Sequence, residues 1–220
     1  MRFSHASRNR LTPHDLGRFP SGRLFDRLGR AVCEAGCLPR KELYEAWEVA
    51  RRTRRMFRGG RVIDLGAGHG LLAHAMLLLD DSSPSAIAVD AVLPASAAKL
   101  HDTLVQAWPR LAGRVSFVSG GPDDVEVGEG DVIVSCHACG GFTDRVLDRA
   151  LRARARVAVL PCCHDLRTCD TADLAGWIDA PLAIDVTRAM RLKSAGYRVR
   201  THIIPAEITP KNRLLLGQPV

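Results

Sequence analysis

At residues 62–72 the chain reads Val62-Ile63-Asp64-Leu65-Gly66-Ala67-Gly68-His69-Gly70-Leu71-Leu72. The first four residues are apolar apart from Asp64, and three glycines then follow at alternate positions. An apolar run of this kind predicts a buried β-strand, and the return of leucines predicts a helix. Glycines allow the backbone to turn tightly and to bring helix N–H groups close to a ligand. The stretch therefore predicts a strand, a glycine-rich turn and a helix that together hold a small molecule.

Six further apolar runs follow the same plan. They lie at 86–91, 114–120, 131–136, 156–162, 197–204 and 212–217, and helical stretches separate most of them. Nearly continuous apolar strands that alternate with helices are typical of a parallel sheet buried on both faces. The link from Ile204 to Asn212 is too short for a crossover helix, so the last two strands should pair antiparallel. The predicted fold class is α/β, a Rossmann-like sheet of seven mostly parallel strands.

The segment before this sheet has a different character. Residues 1–22 predict an irregular arm, and helices are expected over 24–35, ended by Gly36, and from Pro39 to about Phe57. Residues 1–61 hold 15 basic and six acidic side chains, whereas the rest of the chain has a slight acidic excess. We therefore divide the chain into a basic arm with N-terminal helices (1–60) and a ligand-binding domain (61–220).

The basic excess points to a polyanionic partner, because a one-sided positive surface attracts nucleic acid. The arginines that crowd the end of the second helix are the predicted RNA-binding residues: Arg51, Arg52, Arg54, Arg55 and Arg58. A cation cluster at a helix C-terminus also suits the helix dipole without any ligand, which is the alternative interpretation.

The composition indicates where in the cell we expect the protein to be. The chain has 220 residues, 46% of them hydrophobic. It contains no apolar run of the ~20 residues that a membrane span requires, and its first residues lack a secretory pattern. Seven cysteines in strand-like segments are expected to be reduced thiols. We predict a soluble cytoplasmic protein without a membrane partner, and the sequence does not indicate its oligomeric state.

Acidic residues follow the first three predicted strands, where a ligand would lie. Asp64 precedes the glycine turn, Asp90 ends the second strand, and Asp123 and Asp124 come after the third. An acid at the end of the second strand can accept hydrogen bonds from both hydroxyls of a ribose. A carboxylate after the third strand can accept one from an adenine amino group.

The D-x-G-x-G-x-G pattern is similar to motif I of class I methyltransferases, and the resemblance covers residues 61–217. It implies S-adenosylmethionine as cofactor. The residues implied around it are Asp64, Gly66, Ala67, Gly68 and Gly70 at the amino-acid moiety, Asp90 and Ala91 at the ribose, Asp123 or Asp124 at the adenine, and Ser135 and Cys136 alongside. A fold that binds NAD or a nucleotide without catalysis is the alternative.

Two cysteine- and histidine-rich segments follow the fourth and fifth strands, which are expected to be neighbours. They resemble segments of a methyltransferase family that includes the eukaryotic acceptor-stem tRNA 2′-O-methyltransferases and related methyltransferase-like proteins. The matching residues are His137, Cys139, Gly140, Thr143 and Asp144 in the first segment and Cys162, Cys163 and His164 in the second.

Three kinds of chemistry are open for these segments. His137, or else His164, can act as a general base or orient an acceptor hydroxyl. A zinc ion can bind the set Cys136, Cys139, Cys162, Cys163 and His164, although adjacent cysteines on a strand would point to opposite faces. A cysteine can instead attack a pyrimidine ring, as in cytosine-C5 RNA methyltransferases. The catalytic candidates are His137, Cys139, Cys162, Cys163, His164 and Asp165, and simple packing of the thiols is the remaining alternative.

The functional expectation is methyl transfer to an RNA, at a ribose hydroxyl or a base of a tRNA-like acceptor. Methylation of a small metabolite or a protein side chain, with the N-terminal helices as a lid, is the second possibility. A module that holds cofactor or RNA without turnover is the third.

Overall fold

The computed structural model describes residues 4–220 and contains one seven-stranded sheet flanked by six α-helices. The strands are β1 (Val62–Leu65), β2 (Ala86–Asp90), β3 (Val115–Ser119), β4 (Val132–Ser135), β5 (Arg156–Val159), β6 (Tyr197–Ile203) and β7 (Arg213–Pro219). The helices are α1 (Leu24–Ala35), α2 (Arg40–Met56), α3 (Leu71–Leu79), α4 (Ala97–Ala107), α5 (Gly141–Ala153) and α6 (Ala180–Ser194).

The strand order is β3-β2-β1-β4-β5-β7-β6. Strands β1 to β5 pair in parallel, whereas β7 runs antiparallel to both β5 and β6. The predicted α/β class and the antiparallel final pair are thus confirmed. Because the parallel strands end at one edge of the sheet, the loops after β1, β2, β4 and β5 meet there.

Both faces of the sheet are covered by apolar packing. On one face Leu28 of α1, Leu43 of α2 and Met76 of α3 belong to one core cluster, and on the other Val146 of α5 and Leu192 of α6 belong to a second. The N-terminal helices therefore share a core with the sheet. Their predicted bounds are confirmed, and the left-handed Gly36, with φ of 67°, ends α1.

The arm before α1 is more regular than predicted. A 3-10 helix runs over Pro13–Arg18, and Thr12 and Asp15 form a capping box at its start. Residues 1–3 of the predicted arm lie outside the described range. Within residues 4–220, no helix is both long and apolar enough to cross a membrane.

The end of α2 corrects part of the predicted RNA-binding set. The side chain of Arg54 is buried, pairs with Asp80 at 3.1 Å and donates hydrogen bonds to Met76 O and Ser83 Oγ. Burial lowers its pKa to about 10. Arg58 contacts the same carboxylate at 3.6 Å. Arg54 is therefore part of the core, because the loop after α3 lies against this turn of α2.

Two other arginines of the predicted set are partly neutralised. Arg51 and Arg52 both donate to the carboxylate of Glu48, at 2.8–3.1 Å. Arg55 is exposed and makes no hydrogen bond or ion pair with the described part of the chain. Of the five arginines, Arg55 is the one whose whole charge is available to a ligand.

Candidate active site

A cavity of about 630 Å³ opens at the carboxyl ends of β1, β2 and β4. Four regions of the chain contribute to its wall. The end of β1, the glycine turn and the end of β2 supply Asp64, Gly66, Ala67, Gly68, His69, Asp90 and Ala91. The loops after β3 and β4 supply Gly120, Gly121, Pro122, Cys136, His137 and Cys139, the start of α5 supplies Phe142 and Arg145, and the N-terminal helical region supplies Leu38, Glu42 and Ala46.

The glycine turn requires glycine for conformational and steric reasons. Gly66, Gly68 and Gly70 have φ values of 72°, 52° and 76°, in the left-handed region that other residues rarely adopt. A Cβ at Gly70 would lie 2.8 Å from Phe117 Cε1, so Gly70 serves the packing behind the turn and lies off the cavity wall.

Asp64 is the buried charge of the site. The residue is 1% exposed, and Ala73 N at 3.2 Å donates its one hydrogen bond. Burial raises its pKa to about 7. A buried carboxylate with so little compensation fits a cationic ligand group, such as the ammonium of S-adenosylmethionine.

Asp90 is held at the end of β2 by the backbone around it. Its carboxylate accepts hydrogen bonds from Gly68 N at 2.8 Å and from Val92 N at 3.2 Å. Both oxygens are thereby fixed on the cavity wall and keep lone pairs for further donors. This arrangement fits a ligand that presents adjacent hydroxyl groups.

The side chains of the two acids after β3 do not line the cavity. Asp123 is half exposed and pairs with Arg145 and Arg152 of α5, at 3.1 Å each, and Arg145 is itself part of the cavity wall. The hydrogen bond from Arg145 lowers the pKa of Asp123. Asp124 accepts from Gly121 N at 2.6 Å and closes a turn. The backbone of Gly120 and Gly121 forms this part of the wall, so an adenine contact by either acid stays a prediction.

The side chain of Ser135 is another correction. Ser135 is fully buried at the end of β4, its Oγ has no hydrogen-bond partner, and it lies off the cavity wall. The neighbouring Cys136 is 4% exposed and does line the cavity. Burial raises the pKa of the Cys136 thiol well above its ordinary value, so this sulfur is a neutral packing group.

Glu42 is a cavity residue that the sequence patterns missed. It lies on the first turns of α2, on the side that faces the glycine turn. Burial, together with the nearby carboxylate of Glu45, raises its pKa to about 7. Glu45 is itself buried and pairs with Lys41 at 3.4 Å. The sequence did contain one indication of this site, because two acidic residues, Glu42 and Glu45, lie on the apolar face of α2.

The two cysteine- and histidine-rich segments meet as predicted, but their members have different positions. His137 and Cys139 lie on the cavity wall, and burial lowers the pKa of His137. The Sγ atoms of Cys139 and Cys162 are 2.7 Å apart, and Cys163 lies beside them. The structure thus brings three of the candidate cysteines together next to the cavity.

His164 and Asp165 point elsewhere. His164 Nε2 bonds to Asp185 of α6 at 2.8 Å, and its side chain is 2% exposed. Asp165 is exposed and accepts hydrogen bonds from Arg167 N and Thr168 Oγ1. Neither residue lines the cavity, so the structure gives their predicted catalytic role no support.

Known proteins similar to this chain share its central region. A family described as a methyltransferase domain matches residues 41–169. A "Glutathione S-transferase C-terminal domain-containing protein homolog" of Drosophila melanogaster is 27% identical over 43% of this chain and 23% of its own length, and the homolog of Drosophila pseudoobscura pseudoobscura is 30% identical over the same shares. The chain thus spans about a quarter of the length of these relatives.

Solved structures share the fold. An O-methyltransferase family protein from Burkholderia thailandensis has a TM-score of 0.54 and 17% identity, covering 95% of this chain and 63% of that one. A precorrin-6y C5,15-methyltransferase from Geobacter metallireducens has a TM-score of 0.50 and 15% identity, covering 79% and 87%.

Proposed function

The chain belongs to the methyltransferase-domain family, and from that premise we propose that it transfers the methyl group of S-adenosylmethionine to RNA. The observation that carries the RNA proposal is a second, basic cavity of about 230 Å³. It is lined by Arg52, Arg55 and Met56 of α2 and by Arg200 and His202 of β6.

The cofactor site rests on residues of the glycine turn and β2. Asp64 would face the ammonium group of the cofactor, and Asp90 would face the ribose hydroxyls. Gly66, Ala67 and Gly68 would line the part of the cavity between these two groups. When bound, S-adenosylmethionine supplies an electrophilic methyl group on a sulfonium ion. The protein's own task is to hold that group beside an acceptor and to remove the acceptor's proton.

We expect Asp90→Ala to weaken S-adenosylmethionine binding by about 1.5–3 kcal/mol, or roughly 10- to 150-fold, because a charged acceptor for ribose hydroxyls is lost. Titration calorimetry measures the change. Asp102→Ala is the matched control, since Asp102 is exposed on α4 and lies off the cavity wall, and its affinity should equal that of the wild type. Equal affinities for all three proteins would remove Asp90 from the site.

The basic cavity suits a phosphate backbone. Arg55 and Arg200 are exposed, and Glu48 is shared by Arg51 and Arg52, so the surface keeps a net positive charge. Burial lowers the pKa of His202, and the three arginines around it lower that pKa further. Ten residues of α2 separate Glu42 from Arg52, which is about 15 Å along a helix. A strand that reaches from the active site to the basic cavity is therefore several nucleotides long.

The double variant Arg55→Gln with Arg200→Gln should bind RNA more weakly and with less dependence on salt. Each phosphate contact on single-stranded RNA contributes about 0.7 to the slope of log K against log salt, so the slope should fall by about 1.4. Fluorescence anisotropy between 50 and 200 mM salt measures it, with tRNA as the first probe.

The matched control for that experiment is Arg152→Gln with Arg191→Gln, which removes two exposed charges from the α5 and α6 side. An equal loss in both double variants would mean that net charge alone attracts RNA. No RNA binding by the wild type at low salt would contradict the RNA proposal while leaving the cofactor site intact.

Two cavity side chains are available to the acceptor. His137, at the end of β4, would orient the acceptor by a hydrogen bond. Glu42, across the cavity on α2, would accept its proton. Both roles are part of the proposal. Neither residue belongs to the basic cavity, so the two sites can be tested separately.

Methylation of a small metabolite or a protein side chain is the second candidate function. It is favoured by Leu38, Glu42 and Ala46, which place the N-terminal helical region over the cavity as a cover. Labelled S-adenosylmethionine incubated with separate RNA, protein and metabolite fractions of a cell extract distinguishes the acceptors. Label in RNA supports the first proposal, and label confined to another fraction contradicts it.

A further inference from the structure

Three cysteine sulfurs converge at the edge of the active-site cavity. Cys139 lies in the loop after β4, and Cys162 and Cys163 lie in the loop after β5. Their Sγ atoms all lie within 4.8 Å of one another. The hydrogen bond from Gly140 N to Cys163 O, at 3.2 Å, holds the two loops together at this point.

The path of the chain allows both adjacent cysteines to take part. Strand β5 ends at Val159, so Cys162 and Cys163 lie beyond the sheet. The alternation that would send neighbouring side chains to opposite faces of a strand does not apply to a loop. This removes the objection that the sequence raised against a shared ligand.

We propose that Cys139, Cys162 and Cys163 bind one zinc ion through three thiolates. Zinc favours sulfur ligands at about 2.3 Å, which places the sulfurs of a tetrahedral site roughly 3.8 Å apart. All three sulfurs lie within 4.8 Å of one another, and Cys139 and Cys162, now 2.7 Å apart, would move apart by about 1 Å to hold the ion. On binding, three thiols release three protons to solvent and form three zinc–sulfur bonds, and no electron is transferred.

The fourth coordination position is open. Among residues 4–220, no other histidine, cysteine or carboxylate belongs to this group. His164, next in the chain, bonds to Asp185 through Nε2 at 2.8 Å and lies outside the group, and its buried Nδ1 has no hydrogen-bond partner. Cys136 is buried and also lies outside the group. Zinc sites with three protein ligands and an open position are those that bind water or a substrate, whereas structural sites are closed.

The location of the three cysteines also fits a zinc ion with an open coordination position. Cys139 is both a member of the group and part of the cavity wall, whereas Cys162 and Cys163 lie outside the wall. An ion held by all three would therefore lie on the acceptor side of the cavity. The inference goes beyond the proposed function, because metal binding needs neither RNA nor methyl transfer.

The test is metal binding by the full chain, purified with reductant and freed of metal. Titration with Zn²⁺ against a chromophoric chelator should show one ion per chain, and Co²⁺ should produce thiolate-to-metal charge-transfer absorption. Cys139→Ser, Cys162→Ser and Cys163→Ser should each lose stoichiometric binding. Cys169→Ser, which changes a buried cysteine of the following segment, should retain it.

Circular dichroism and the midpoint of urea unfolding of each variant serve as the check on folding. No bound metal in the wild type, or full binding in all three variants, would overturn the proposal. So would a Cys139–Cys162 disulfide that persists in the reductant and excludes the ion. These outcomes are independent of whether RNA is methylated.

Discussion

Replacing Glu42 by Gln is expected to lower the rate of methyl transfer by about 10²–10⁴-fold, the usual contribution of a positioned proton acceptor. The amide keeps the size of the side chain and removes its ability to take a proton. Single-turnover kinetics with S-adenosylmethionine and RNA measure the effect. Affinity for the cofactor should change little, because Asp64 and Asp90 are the acids assigned to it.

The pH dependence gives this prediction a second readout. The pKa of Glu42 is about 7, and the active form is the carboxylate, so wild-type activity should rise as pH increases through 7. The measurement uses saturating S-adenosylmethionine, so that ionisation of Asp64, whose pKa is also about 7, does not affect the rate through cofactor binding. Under that condition Glu42→Gln should lose the rise, whereas Glu34→Gln, an exposed change on α1, should keep it. Full activity in Glu42→Gln would leave His137 or the backbone as the group that serves the acceptor.

The same carboxyl group affects stability in the opposite direction. Its pKa in the folded chain lies above the ordinary value of 4.5, so the folded state holds more protons between the two values. The stability that it contributes is complete below pH 4.5 and is lost as pH rises through 7. Ionisation that favours catalysis therefore lowers the free energy of unfolding.

Arg54→Met is expected to destabilise the chain by about 3–5 kcal/mol, because it removes the buried guanidinium partner of the Asp80 carboxylate and leaves only the exposed Arg58 near it. Asp80 is 4% exposed, and Arg54 is 2% exposed. The hydrogen bonds to Met76 O and Ser83 Oγ are lost as well. Urea unfolding followed by circular dichroism measures the free energy.

Arg58→Met is the matched control for that measurement. Arg58 contacts the same carboxylate from the surface, where its side chain is 64% exposed, and exposed pairs contribute about 0–1 kcal/mol. If both variants lost a similar amount of unfolding free energy, burial would not explain the contribution of the Arg54–Asp80 ion pair. A small loss in Arg54→Met would return Arg54 to the candidates for RNA binding.

The fold could be predicted from sequence because its signals are local. Each β-rich run became a strand, and Gly36 ended α1 where the helical spacing stopped. The short link after Ile204 decided the direction of the last strand. The glycine turn with Asp64 and Asp90 was predicted on the same basis, since both acids lie within two residues of a strand end.

The rest of the site depends on contacts between distant segments. Arg54 appears in the sequence as one of five clustered arginines, and only the loop at 80–83 makes it a core residue. Glu42 gives no motif, because α2 reaches the cavity by packing on α3. Asp123 lies beside the cavity and not on its wall because three arginines of α5 pair with its carboxylate, at 3.1–3.7 Å.

The position of β7 has a consequence for how the chain folds. β7 lies between β5 and β6, yet it is the last strand along the chain. Until residues 213–219 are synthesised, β5 and β6 each present an edge whose backbone groups lack a partner, and such edges pair with other chains. Contacts between β5 and β7 also join segments more than 50 residues apart in sequence, which slows folding. A nascent chain is therefore most prone to aggregate just before its final strand is inserted.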